Sequence, residues 1–117
     1  MDNVMDTTLT LFFSMVRGDT LSFGAELNGL DQDLDSAYFT CKESYDDVIP
    51  VFQKSIGNGI TKVSTDKYIV RVAPADTEDL VAGEYYYDFE VCVNGDRFTL
   101  LEGVINIKPD TTNNASE

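Results

Sequence analysis

The feature that most restricts this chain is an alternation of period two that recurs along most of its length. Leu9, Leu11, Phe13 and Met15 alternate with Thr10, Phe12, Ser14 and Val16, and Leu21, Phe23, Ala25 and Leu27 with Ser22, Gly24 and Glu26. Ala37, Phe39 and Cys41 are interleaved with Tyr38, Thr40 and Lys42, and Tyr68, Val70 and Val72 with Lys67, Ile69 and Arg71. The longest run places Tyr85, Tyr87, Phe89, Val91 and Val93 between Glu84, Tyr86, Asp88, Glu90 and Cys92. Successive side chains of an extended backbone point to opposite sides, so each run reads as a strand with one dry and one wet face.

Turn chemistry tests one of these runs. Asn94-Gly95 supplies two residues that tolerate positive φ, as a two-residue type I′ hairpin requires. With those two at the tip, Val93 faces Asp96, Cys92 faces Arg97, Val91 faces Phe98, Glu90 faces Thr99 and Phe89 faces Leu100. Phe89, Val91, Phe98 and Leu100 then share the dry face, so turn and hydrophobic pattern agree. Carried further, the register sets Glu102 opposite Tyr87 on the dry side, which is costly for a carboxylate. A bulge near Glu102-Gly103 is expected to remove the conflict and turn Ile105 and Ile107 inward. Asn28-Gly29 and Asn58-Gly59 carry the same turn signal, although the register from Ile49 to Val63 stays open and Pro50 suggests an edge position.

Helix signals are confined to Pro74-Ala-Asp-Thr-Glu-Asp-Leu80, a single turn with Asp76 as its cap and Gly83 as its stop. Seven or eight short strands, turns every eight to twelve residues and one helical turn before the penultimate strand predict an all-β sandwich over residues 9–109. Residues 1–8 and 110–117 read as polar tails, the second disordered. The Asn114-Ala115-Ser116 sequon falls in that tail.

Composition removes functions more than it assigns them. Eight Lys and Arg against 21 Asp and Glu give a net charge of −13. That charge disfavours a nucleic-acid backbone and an anionic membrane surface as partners. With no His in the chain, His-based triads, the common zinc sites and the usual base at neutral pH are excluded. No Gly-rich phosphate loop is present, and the acidic residues read as loop or outer-face charge. The expectation is no catalytic residue, no metal and no cofactor. The amino terminus has no basic region before an apolar stretch, which points to folding in the cytoplasm. Cys41 falls on a dry face and Cys92 on a wet one beside Arg97, which argues against a disulfide between them.

Two stretches carry a family resemblance. Val16-Arg-Gly-Asp-Thr-Leu-Ser-Phe23 enters a strand through a Gly-Asp-Thr turn, and Leu80-Val-Ala-Gly-Glu-Tyr-Tyr-Tyr-Asp-Phe-Glu-Val91 follows the helical turn and precedes Asn94-Gly95. The Gly83-x-Tyr85 step is similar to the E–F corner of immunoglobulin-like domains, in which Tyr85 would bond back to backbone just upstream. Together with Asp33-Leu34, the order over residues 14 to 108 resembles the immunoglobulin-like domains of bacteriophage virions, in particular the N-terminal domain of phage baseplate upper proteins. The resemblance implies an immunoglobulin-like antiparallel sandwich. It implies a non-enzymatic structural protein of the particle (a baseplate or tail adaptor, or a capsid decoration), made in the host bacterial cytoplasm and assembled with other virion proteins, as a homo-oligomer or otherwise. A baseplate upper protein would run on into a partner-binding region, so a free-standing subunit is expected.

The candidate partner-binding residues are Glu84, Tyr86, Asp88 and Glu90 on the wet face of the longest strand, where tyrosine offers apolar area and a hydroxyl to an interface. Tyr38 and Ile69 would enlarge that patch if they lie on it. Tyr85, Gly83, Asn94 and Gly95 are expected to be structural. Arg17-Gly18-Asp19 matches the tripeptide read by integrins but reads more simply as the turn between the first two strands. Asp31, Asp33 and Asp35 begin like a calcium loop, yet Ser36 stands where glycine is needed and Lys42 where a bidentate Glu is needed. The competing function is a host-surface or carbohydrate-binding module, against which stands the absence of Trp.

Overall fold

A computed structural model describes residues 8–111 of the chain. The tails read at 1–8 and 110–117, with the Asn114 sequon, fall outside the described residues except for Thr8, Asp110 and Thr111. Eight strands form: β1 (Leu9–Val16), β2 (Leu21–Glu26), β3 (Ser36–Lys42), β4 (Phe52–Ile56), β5 (Gly59–Ser64), β6 (Lys67–Val72), β7 (Gly83–Val93) and β8 (Asp96–Lys108). One helical turn, α1 (Pro74–Thr77), precedes β7.

The strands hydrogen-bond in the order β1-β8-β7-β3-β4-β5-β6-β2. Between β4 and β5 the link is only two residue pairs, Ser55 with Gly59 and Ile56 with Ile60, where the chain kinks through Gly57 and continues in the same direction. The ladder therefore works as two layers, β1-β8-β7-β3-β4 and β5-β6-β2, sharing a seam at β4–β5. Their inner faces meet through aromatic rings: Phe23 of β2 lies 5.5 Å from Phe39 of β3 and 6.3 Å from Phe89 of β7, both edge-on. Around them Ala37, Phe39, Cys41, Ile60, Tyr68, Val70, Val72, Phe89 and Val91 are almost wholly buried. Each large side chain among them contributes about 1.5–3 kcal/mol by leaving water. This is an all-β sandwich built on one continuous eight-stranded ladder, as the alternation predicted.

Several local expectations are met. Asn94 has φ 54° and Gly95 φ 84°, and the β7–β8 register from Val93–Asp96 to Glu90–Thr99 is the one read from the turn. Tyr85 donates its hydroxyl proton to the Val81 carbonyl at 2.6 Å, forming the tyrosine corner. Arg17-Gly18-Asp19 is a turn. Gly18 takes φ 84°, its N–H donates to the Thr77 hydroxyl at 2.8 Å, and Arg17 donates to the Leu80 carbonyl at 3.1 Å. Both cysteines are free, Cys41 buried and Cys92 half-buried.

Other expectations need correcting. The bulge falls earlier than Glu102-Gly103: Phe89 pairs with Leu101 and Leu100 is the extra residue. It removes the same conflict, because Glu102 now faces Asp88 on the wet side while Ile105 and Ile107 turn inward and are buried. The sandwich is not purely antiparallel, since β1 runs parallel to β8 throughout its length. With β1 paired to β8, β2 has no neighbour on its outer edge among the described residues. Leu9 and Leu11 point inward but line an apolar groove of about 310 Å³ beside Phe23 and Leu27, so they remain 47% and 43% exposed. Asn28-Gly29 and Asn58-Gly59 do not close hairpins, because each sits where the chain passes from one layer to the other. Asp76 is the third helical residue rather than the cap. It accepts from the Ala73 N–H at 2.7 Å, the helix ends at Thr77, and Gly83 opens β7 instead of stopping the helix.

Candidate docking face

The register places the outward side chains of the larger layer in rows that cross the strands. One row runs Phe12 (β1), Val104 (β8), Tyr86 (β7) and Lys42 (β3), each paired with the next. Adjacent strands lie about 4.8 Å apart, so the row spans roughly 14 Å. Tyr45, from the loop after β3, stacks on Tyr86 with ring centroids 4.3 Å apart. Phe12 is 77% and Tyr45 71% exposed. An apolar stripe thus crosses the face at right angles to the strands.

Carboxylates flank it. On one side Glu84 pairs with Asn106, next to Ser14. On the other, Glu102 of β8 stands directly opposite Asp88 of β7, with Thr10 and Thr40 completing the row. One step further, Glu90 lies between Tyr38 and Thr99. The four candidates Glu84, Tyr86, Asp88 and Glu90 therefore do share one face, and Tyr38 joins them. Ile69 does not, because β6 belongs to the other layer.

Electrostatics distinguish these acids. Asp88 has its pKa raised, first by the loss of hydration among its neighbours and then by the charges of Glu90 and Glu102, against which Lys42 acts only in part. Glu90 has Arg97 at 4.0 Å, whereas among the described residues neither Asp88 nor Glu102 takes part in an ion pair. Asp88 and Glu102, with Thr40, Lys42, Tyr45 and Tyr86, line a recess of about 190 Å³. Beneath it Tyr87 donates to the Leu11 carbonyl at 2.9 Å, and burial, followed by the charge of Glu102, pushes its phenol up to about 12.

The remaining candidates lie elsewhere. Asp33 is held by Lys62 at 2.8 Å, and that hydrogen bond keeps its carboxyl below the usual range. No group of three or more His, Cys, Asp or Glu side chains is arranged to hold a metal among the described residues. Burial pushes the Cys41 thiol up to about 12. No helix among the described residues is long and apolar enough to cross a membrane.

Sequence reasoning missed two contributors to the face. Phe12 already stood on the wet side of its strand's alternation, but its place beside Tyr86 depends on the parallel pairing of β1 with β8. Tyr45 lies in a loop that shows no periodicity. Neither the protein-family models nor the curated proteins contain a match to this chain.

Proposed function

We propose that this chain is a non-enzymatic structural protein of a phage particle, a baseplate or tail adaptor or a capsid decoration, that works by docking onto other virion proteins through the outer face of the larger layer. The observation that carries this reading is the outward Phe12–Val104–Tyr86 row, exposed at Phe12 and half-buried at Val104 and Tyr86, with exposed Tyr45 stacked on it and carboxylates on either side. Large exposed apolar side chains that adjoin one another and are rimmed by charge are characteristic of protein contact surfaces. The sequence resemblance supplies the setting, and it rests on the Gly18-Asp19-Thr20 turn that leads into β2 and on the Tyr85 corner near the start of β7. The chain would be made in the host cytoplasm and incorporated during assembly.

Gradient-purified particles of the virus encoding the chain should carry it in fixed stoichiometry, and Phe12→Ala or Tyr86→Ala should reduce its retention. Intact particles without it would refute the reading. The stacked Tyr45–Tyr86 pair beside carboxylates favours, as a second reading, a carbohydrate or host-surface module. Saturable binding of the isolated domain to a glycan array would select that one.

A further inference from the structure

Building on the docking reading, we propose that the recess formed by Tyr45, Tyr86, Thr40 and the Asp88–Glu102 pair receives an arginine side chain projecting from the partner protein.

Two like charges set directly opposite each other on neighbouring strands oppose folding. Asp88 and Glu102 are such a pair, and among the described residues neither is in an ion pair. The bulge at Leu100 fixes this opposition, since the uninterrupted hairpin register would have sent Glu102 inward. Lys42 lines the same recess yet offsets only part of the upward pKa shift that burial, Glu90 and Glu102 impose on Asp88. The free domain thus holds a local excess of negative charge that an incoming cation would relieve.

The rest of the lining selects the cation. The Tyr45 and Tyr86 rings, 4.3 Å apart, form an aromatic wall beside the carboxylates. A guanidinium stacks on an aromatic ring and presents several N–H donors in one plane, so it can bond two carboxylates and a hydroxyl at once. An ammonium has three donors, is more strongly hydrated and lacks the flat face. The recess is about 190 Å³, enough for one side chain and too small for a folded element. The Phe12–Val104 end of the stripe would then take up an apolar ridge next to that arginine. The partner surface is therefore apolar, with a basic margin.

The test is a titration of the whole chain with the blocked peptide Arg-Arg-Arg, followed by amide chemical shifts at physiological salt, with Lys-Lys-Lys and Gln-Gln-Gln alongside. Saturable shifts centred on Thr40, Lys42, Tyr86, Asp88 and Glu102 are expected, several-fold stronger for the arginine peptide than for the lysine one. The double variant Asp88→Asn/Glu102→Gln should bind at least tenfold more weakly and, free in solution, melt at a higher temperature than the parent. Tyr45→Ala should weaken binding several-fold, and Glu84→Gln, which removes a carboxylate outside the recess, should not. The proposal falls if no saturable shift appears, if the shifts spread evenly over all the carboxylates, if lysine binds as well as arginine, or if the double variant melts lower. A failed titration combined with loss of particle retention in Phe12→Ala would overturn the arginine assignment alone. Arginine binding with no protein on the particle would overturn the virion reading alone.

Discussion

Gly103 is where β8 allows β1 to lie against it, and Gly103→Ala should detach that edge. Gly103 pairs with Leu11 on one side and Tyr87 on the other and has φ 155°. A Cβ built there would overlap the Leu11 carbonyl oxygen, the same atom that accepts the buried Tyr87 hydroxyl at 2.9 Å. Two costs follow. Alanine at this φ costs about 1–3 kcal/mol. Pushing Leu11 aside leaves the Tyr87 hydroxyl unpaired where its ring is buried, at about 1–3 kcal/mol. The total is about 2–6 kcal/mol, a large share of the roughly 5–15 kcal/mol that holds a domain together. With a urea m-value of about 1.5 kcal/mol/M, the midpoint should fall by roughly 1–4 M. Gly95→Ala is the control: its φ of 84° is also positive, but no atom lies within 4 Å of the added Cβ, so it should cost only about 1–2 kcal/mol. If the second cost acts through the displaced Leu11 carbonyl, Tyr87→Phe should matter little once Gly103→Ala is present. A Gly103→Ala loss no larger than that of Gly95→Ala, or full additivity with Tyr87→Phe, would show that β1 is not held in this way.

Other perturbations bear on the corner, the face and the thiols. Tyr85→Phe removes the 2.6 Å bond to Val81 and should cost about 1–2 kcal/mol in the same urea assay, with no effect on binding to the docking face. Because the folded state raises the Asp88 pKa, this carboxyl favours folding below its ordinary range and loses that contribution as pH rises through the raised value. Asp88→Asn should therefore be more stable than the parent at pH 7, with the difference closing towards pH 3 in thermal melts. Asp33, lowered by Lys62, carries the opposite sign: Asp33→Asn should be the less stable of the pair at pH 7, again converging in acid. In the native state a thiol reagent at pH 8 should modify Cys92 and leave Cys41 untouched, since Cys41 is buried with its pKa pushed up to about 12; urea should expose both.

Legibility followed the range of the interactions. Where two neighbouring segments determine each other, as Val91 and Phe98 do across Asn94-Gly95, turn chemistry and alternation sufficed to place the residues. The bulge was also demanded by sequence, because Glu102 had to leave the dry face. Its position was not, since a shift at Leu100 or at Gly103 satisfies the same polarity pattern. The parallel pairing of β1 with β8 joins residues more than ninety positions apart, and alternation contains no information about which neighbour a strand selects. That pairing places Phe12 beside Val104 and Tyr86, so half of the docking face stayed hidden. Leu9 and Leu11 show the converse: their parity was right, but parity gives direction, and burial requires a facing layer, which is missing between β1 and β2.

The parallel register of β1 and β8 also governs how the domain responds to force. Tension applied through the start of β1 and the far end of β8 draws the two strands past each other along their axes, loading the hydrogen bonds from Leu9–Leu101 to Val16–Lys108 together. An antiparallel pair pulled the same way would unzip one bond at a time. The Tyr87 hydroxyl, bonded to the Leu11 carbonyl across β8, ties β1 to a third strand and adds to the resistance along that row.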